Sequence, residues 1–107
     1  MGADTTETSE DAVLGGRLTL RQPLRGHRVG HDAILLAAAT GGRAGERAVD
    51  LGAGVGGAGL ALAVRVAGLH VTLVEIDEML CALASKNARL NRLDDRVRAL
   101  LADAEDA

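Results

Sequence analysis

Five glycines fall within the eight residues from Gly52 to Gly59, directly after the apolar run "AVDL" and before the alanine- and leucine-rich stretch that begins at Leu60. A chain places that much backbone freedom between a strand and a helix where it must turn sharply and lie close to something, with no side chains between. A helix starting near Gly57 also presents unpaired N–H groups and the positive end of its dipole. The stretch therefore predicts a strand–loop–helix unit whose loop faces a ligand. A turn that serves only close packing is the alternative.

The flanking sequence supplies the rest of an alternating pattern. Residues 46–51 read as a strand, and residues 57–67 as a helix closed by Gly68. "HVTLVE", His70 to Glu75, is a second strand rich in β-branched residues. Asp77 caps a helix through about Asn91, in which Leu80, Leu83, Ala84 and Leu90 recur at helical spacing, and residues 96–102 form a third strand. Strand, helix, strand, helix, strand is the order of a parallel, right-handed βαβαβ unit, the N-terminal half of a doubly wound α/β sheet of Rossmann-like type. Such a unit leaves its first strand as an open edge, so the chain is not expected to fold well alone.

Upstream, Gly15-Gly16 marks a turn and Leu18-Thr19-Leu20 a short strand, while Pro23 and Gly26 argue against helix. This predicts a small hairpin or extended segment with basic side chains on one side. Asp32 can cap a helix over residues 33–40, which Gly41-Gly42 would stop. The organisation is thus a disordered leader (1–10), a hairpin and helix (11–45), and a ligand-binding domain (46–107).

Composition narrows the function. The chain contains no Phe, Tyr or Trp. Its core must be built from Ala, Leu and Val, and it has no aromatic platform on which a nucleobase could stack. Net charge is −3, which gives no overall footprint for nucleic acid. Arg17, Arg21, Arg25 and Arg28 are a local exception, four cations with no acid among them. They suit RNA phosphates or, equally, a solvated hairpin face. The single Cys81 rules out an internal disulfide, fits a reducing compartment and reads as a core residue. The polar first ten residues and the short apolar runs suggest neither secretion nor a membrane span, so a cytoplasmic location is expected. His27, His31 and His70 form no cluster at metal-ligand spacing, and no metal is expected.

Three ligands fit a glycine loop of this kind. A nucleoside triphosphate loop needs Lys and Ser or Thr after its last glycine, but Leu60-Ala61 follow Gly59. A dinucleotide loop needs G-x-G-x-x-G, which Gly52, Gly54 and Gly57 satisfy, and so do Gly54, Gly56 and Gly59. S-adenosylmethionine is the third, and Asp50 favours it. A carboxylate just before the first glycine repels a pyrophosphate but suits a zwitterionic sulfonium ligand. Glu75, at the end of the second strand, can accept hydrogen bonds from ribose hydroxyls of either nucleoside ligand. Asp103, past the third strand, lies on the same rim within reach of an adenine amino group. Ordinary structural or solvated acids are the alternative for all three.

"VDLGAGVGGAGLAL", "VTLVEID" and "ASKNARLN" resemble the first motifs of class I S-adenosylmethionine-dependent methyltransferases. The upstream "LGGRLTLRQPLRGHRVGHDAILLAAA" resembles the N-terminal signature of bacterial tRNA(Val) adenine-N(6) methyltransferases, within the "methyltransferase small domain" group. The resemblance spans about residues 11–103. It implies a cofactor site built from Asp50, Gly52, Gly54, Gly56, Glu75 and Asp103. It also implies that Arg28 and Asp32 of "RVGHDA" close over the methionine end, and that the substrate is tRNA, for which Arg17, Arg21 and Arg25 are candidate phosphate contacts. The family often carries an aromatic where His27 stands. It also carries an Asn-Pro-Pro-aromatic motif after a fourth strand, which binds the target amine. The only proline here is Pro23, so the transfer chemistry is not located in these residues and the 107-residue chain is expected to transfer nothing. A nicotinamide-dependent oxidoreductase, a non-catalytic fragment binding a partner through its sheet edge, and a protein-glutamine methyltransferase are the competing readings.

Overall fold

The computed structural model describes residues 7–24 and 47–103. The helix expected over residues 33–40, together with Arg25, Arg28 and Asp32, lies outside the described residues. In chain order the elements are β1 (Thr8–Val13), β2 (Leu18–Pro23), β3 (Arg47–Leu51), α1 (Gly57–Arg65), β4 (His70–Glu75), α2 (Glu78–Leu90) and β5 (Val97–Leu101).

The last three strands form a parallel sheet in the order β3-β4-β5, as the alternating pattern anticipates. The register fixes which residues share a face. Ala48, Val71 and Val97 lie in one row, and Asp50, Leu73 and Ala99 in the next on the same side. Both helices cover this side: Leu60, Ala61 and Ala63 of α1 and Ala84 and Ala88 of α2 join Val71, Leu73 and Val97 in a single buried cluster. The opposite side carries Val49, Leu51 and Leu100, which stay 62%, 56% and 41% exposed. Among the described residues β3 is a sheet edge, so the open edge falls on the first parallel strand, as expected.

With no aromatic residues, the core closes by bringing backbones together. Gly59 shows how far this goes. A β-carbon there would overlap Leu73 Cδ2 and lie 3.2 Å from Val71 Cγ1. Helix α1 therefore rests on β4 at a distance only glycine permits. The far end of α1 is held by Arg96, whose guanidinium donates to the carbonyls of Ala63, Val66 and Leu69 at 2.9–3.1 Å. This places a cation on the negative end of the helix.

β1 and β2 form a separate antiparallel hairpin, with Thr8 opposite Pro23 and Val13 opposite Leu18. Leu18 and Leu20 reach the buried cluster beneath the parallel sheet's helices. The hairpin docks on α2 through two asparagines. Asn91 Oδ1 accepts from the Thr19 N–H at 2.8 Å and its Nδ2 donates to the Thr19 carbonyl at 2.6 Å. Asn87 does the same for Arg21, at 2.7 Å and 2.9 Å. Four residues of helix rise about 6 Å and two residues of strand about 6.6 Å. An i, i+4 pair of amides can therefore stand in for a neighbouring strand along β2.

The hairpin also corrects the leader's boundary, since the strand starts at Thr8 and not after Glu10. Polar side chains made this segment look unstructured, but both acids of β1 have partners. Glu10 pairs with Arg21 at 3.0 Å, and Asp11 Oδ2 accepts from Ser9 Oγ and Gln22 Nε2 at 2.7 and 2.8 Å. Helix α1 ends at Arg65, two residues before the expected position, because Val66 is already extended at φ −117°.

Gly59→Ala is expected to destabilise the fold by about 1–3 kcal/mol, the usual cost of forcing one methyl into a packed interior. Urea denaturation followed by far-ultraviolet circular dichroism measures it.

Candidate functional site

The carboxyl ends of β3, β4 and β5 lie on one rim, and the glycine loop crosses it. Sequence makes the loop bend: Gly54 and Gly56 have φ of +60° and +94°, backbone that other residues adopt only with strain. Gly56 is the N-cap of α1 and has no side chain to bond the first-turn N–H groups. Those amides face the rim from the positive end of the helix.

Three anchors hold the loop. The N–H groups of Gly52 and Ala53 both donate to the Val74 carbonyl, at 2.9 and 3.0 Å. The Gly54 N–H donates to Glu75 Oε1 at 2.7 Å. Asn87 Nδ2 donates to the Val55 carbonyl at 2.9 Å. Glu75 is buried, and its second oxygen accepts from the Asp77 N–H at 2.9 Å. Asp77 in turn caps α2 through the Leu80 N–H at 3.0 Å, the role its position in the sequence suggested. Each Glu75 oxygen has one N–H bond shown here and retains acceptor capacity, since a carboxylate has about four lone-pair sites. That capacity suits a vicinal diol.

Asp50 stands at the penultimate position of β3, on the helix-covered side of the sheet. Its Oδ2 is buried and has no hydrogen-bond partner. A β-carbon on Gly59 would sit 3.3 Å from that oxygen, so the carboxylate looks at the start of α1 across bare backbone. Burial pushes its pKa above the ordinary 3.8, the Gly59 backbone N–H draws it down, and the negative charge of Glu75 raises it again. The Gly59 N–H acts on the carboxylate without satisfying Oδ2, and a buried acceptor oxygen left without a hydrogen bond is costly to fold and points to a missing donor.

The structure thus brings together Asp50, Gly52, Gly54, Gly56 and Glu75. Asp103 follows two residues after β5 on the same rim, half-buried. The hairpin arginines are elsewhere. Arg21 is paired with Glu10 and also donates to Thr8 Oγ1 at 3.1 Å, while Arg17 reaches the Val64 carbonyl at 3.5 Å. The sequence reading overlooked Asn87, Asn91 and Arg96. Two asparagines one turn apart on an apolar helix face, where one of them must be buried, were the available signal.

A three-stranded parallel sheet with both helices on one side and a glycine loop crossing its carboxyl end defines the α/β, Rossmann-like methyltransferase fold. The family model of the TRM5/TYW2 methyltransferase domain matches residues 36–107, and the chain belongs to that family. Its structure is similar to that of Pyrococcus horikoshii TYW2 in complex with MeSAdo, with TM-score 0.79 and 22% identity, over 100% of this chain and 39% of that one. It is similar to a SAM-dependent methyltransferase from Agrobacterium tumefaciens, with TM-score 0.65 and 19% identity, over 96% of this chain and 35% of that one. A SAM-dependent methyltransferase from Geobacter sulfurreducens, solved with S-adenosyl-L-homocysteine, aligns at TM-score 0.63 and 27% identity, over 74% of this chain and 33% of that one. The chain spans about two-fifths of the P. horikoshii protein's length. No curated protein matches it in sequence.

The family match bears out the methyltransferase resemblance at the level of the TRM5/TYW2 family and does not extend to the adenine-N(6) methyltransferases of valine tRNA. The finer resemblance was carried by residues 14–39, whereas the glycine loop, "VEID" and "ASKNARLN" carried only the class I resemblance. They are built by the fold and do not report which nucleobase is modified.

Asp50 also sets a pH dependence. A carboxyl group with a raised native pKa contributes stability that is full below the unfolded value of 3.8 and is lost as pH rises through the native value. Asp50→Asn removes that decline. Urea midpoints of the two ligand-free proteins, taken from pH 4 to 7, are expected to diverge as pH rises, with the variant the more stable at pH 7.

Proposed function

We propose that the chain forms the S-adenosylmethionine site of a tRNA methyltransferase. The observation that carries this reading is the buried, partnerless Asp50 oxygen beside a glycine loop and a helix N-terminus. A methionine ammonium, directly or through a water, supplies the missing donor and a compensating positive charge. A pyrophosphate would add negative charge to a group that burial already disfavours in its charged form, which speaks against a nicotinamide dinucleotide.

The other roles follow from position. Glu75 accepts from the ribose hydroxyls with its remaining lone pairs, and Asp103 accepts from the adenine amino group. The backbone of Gly52, Gly54 and Gly56 lies against the nucleoside. When bound, the cofactor supplies a sulfonium methyl group. The chain's own contribution is to hold that group in one orientation, the kind of positioning that accounts for much of a bimolecular rate gain. Arg28 and Asp32 close over the methionine end in this reading.

tRNA as substrate rests on the family. Arg17 and Arg25 are the hairpin-side cations proposed to meet its phosphates, with Arg21 available only by giving up Glu10. A cytoplasmic location fits that substrate. Among the described residues no helix is long and apolar enough to cross a membrane. Within tRNA, the stretch from Leu14 to Ala39 favours the exocyclic amine of an adenine, and nucleoside analysis of methylated tRNA distinguishes that target from others.

Calorimetric titration tests the site. S-adenosylhomocysteine is expected to bind and NADH not to bind. Asp50→Asn and Glu75→Gln should each weaken S-adenosylhomocysteine by about 10–100-fold, the worth of a hydrogen bond to a charged group. NADH binding that survives Asp50→Asn would establish the oxidoreductase reading instead.

A further inference from the structure

Asn87 is the most completely enclosed polar side chain among the described residues, at 0% exposure, and it belongs to neither the catalytic chemistry nor the nucleoside contacts named above. Its amide makes three hydrogen bonds to two separate segments. Oδ1 accepts from the Arg21 N–H at 2.7 Å, and Nδ2 donates to the Arg21 carbonyl and to the Val55 carbonyl, both at 2.9 Å. Arg21 lies on β2, and Val55 lies between Gly54 and Gly56, two of the loop's three positive-φ glycines.

We propose that Asn87 is a positioning residue that couples docking of the N-terminal hairpin to the geometry of the glycine loop, so that hairpin and cofactor bind α2 cooperatively. The proposal rests on the reading of the loop as a cofactor site. A planar amide has one orientation, set jointly by its three bonds. When β2 is docked, two of those bonds fix the plane, and the remaining N–H is aimed at Val55. When β2 lifts away, the amide gains rotational freedom and the loop loses one of its three anchors. Linkage makes the effect mutual: whatever orders the loop must favour the docked hairpin by the same factor.

Asn91 provides a way to test this without touching the loop. Its side chain bonds Thr19 on both backbone groups and the carbonyl of Asn87, and makes no bond to residues 52–56. Asn91→Ala therefore loosens the hairpin at a distance. In the full chain, amide hydrogen exchange and calorimetry are read together. S-adenosylhomocysteine is expected to slow exchange of the Thr19 and Arg21 amides in the unaltered protein, although it touches neither. In Asn91→Ala, exchange at Gly54 and Gly56 is expected to quicken, and the Kd for S-adenosylhomocysteine to rise about 5-fold or more, the lower end of typical coupling.

Faster exchange confined to β2, with Gly54, Gly56 and the Kd unchanged within twofold, would overturn the proposal. So would ligand binding that leaves the Thr19 and Arg21 amides unaffected. If S-adenosylhomocysteine fails to bind the unaltered protein, the cofactor reading falls, and the ligand-free exchange of Gly54 and Gly56 in Asn91→Ala still decides whether hairpin and loop are coupled.

Discussion

The Glu75 carboxylate is the point at which the loop after β3 and the helix after β4 are joined. One oxygen takes the Gly54 N–H, the other takes the Asp77 N–H, and Asp77 then begins α2. A parallel sheet delivers its strand ends to a common rim, where the pairing runs out and the amides of Gly54 and Asp77 need other partners. A buried acid at that rim answers two of them at once. Because these bonds are charge-assisted, they are short and hold the glycine loop in a conformation that its positive φ values alone would not stabilise. Asn87 anchors the same loop from beneath, and everything at the candidate site depends on these two side chains agreeing about where the loop lies.

The absence of aromatic residues shows the same economy of space. Alanine and leucine fill little volume, so the sheet and α1 approach until Gly59 meets Leu73 directly. That approach also brings Asp50 against the start of α1 and strips its Oδ2 of water. The unusual core and the unusual acid have one cause. A bulkier residue at position 59 would relieve the first and fill the space that the second faces.

Much of this was legible in the sequence. The three parallel strands and two helices follow from β-branched runs, helical periodicity and glycine placement, all of which act locally. Asp50, Glu75 and the loop glycines could be picked out because their spacing relative to the strand ends is fixed by the fold. What escaped notice depends on contacts between distant segments. The first three residues of β1 looked like part of a polar leader because Glu10 finds its partner, Arg21, only across the turn. Asn87 and Asn91 were not singled out because their role is to complete β2, some 66 to 72 residues away. The particular substrate was not legible for a different reason: the loop and strand-end motifs follow from the shared fold, and the chemistry that discriminates one methyltransferase from another acts on the other reactant.

One experiment addresses the central reading directly, a crystal structure of the protein grown with S-adenosylhomocysteine. The expected result is a ligand along the rim of β3, β4 and β5, with ribose hydroxyls on Glu75 and the amino-acid ammonium, or a water it holds, on Asp50 Oδ2. Density at the opposite end of the sheet, among Arg47, His70 and Arg98, or a rim site in which Asp50 remains without a donor, would contradict it.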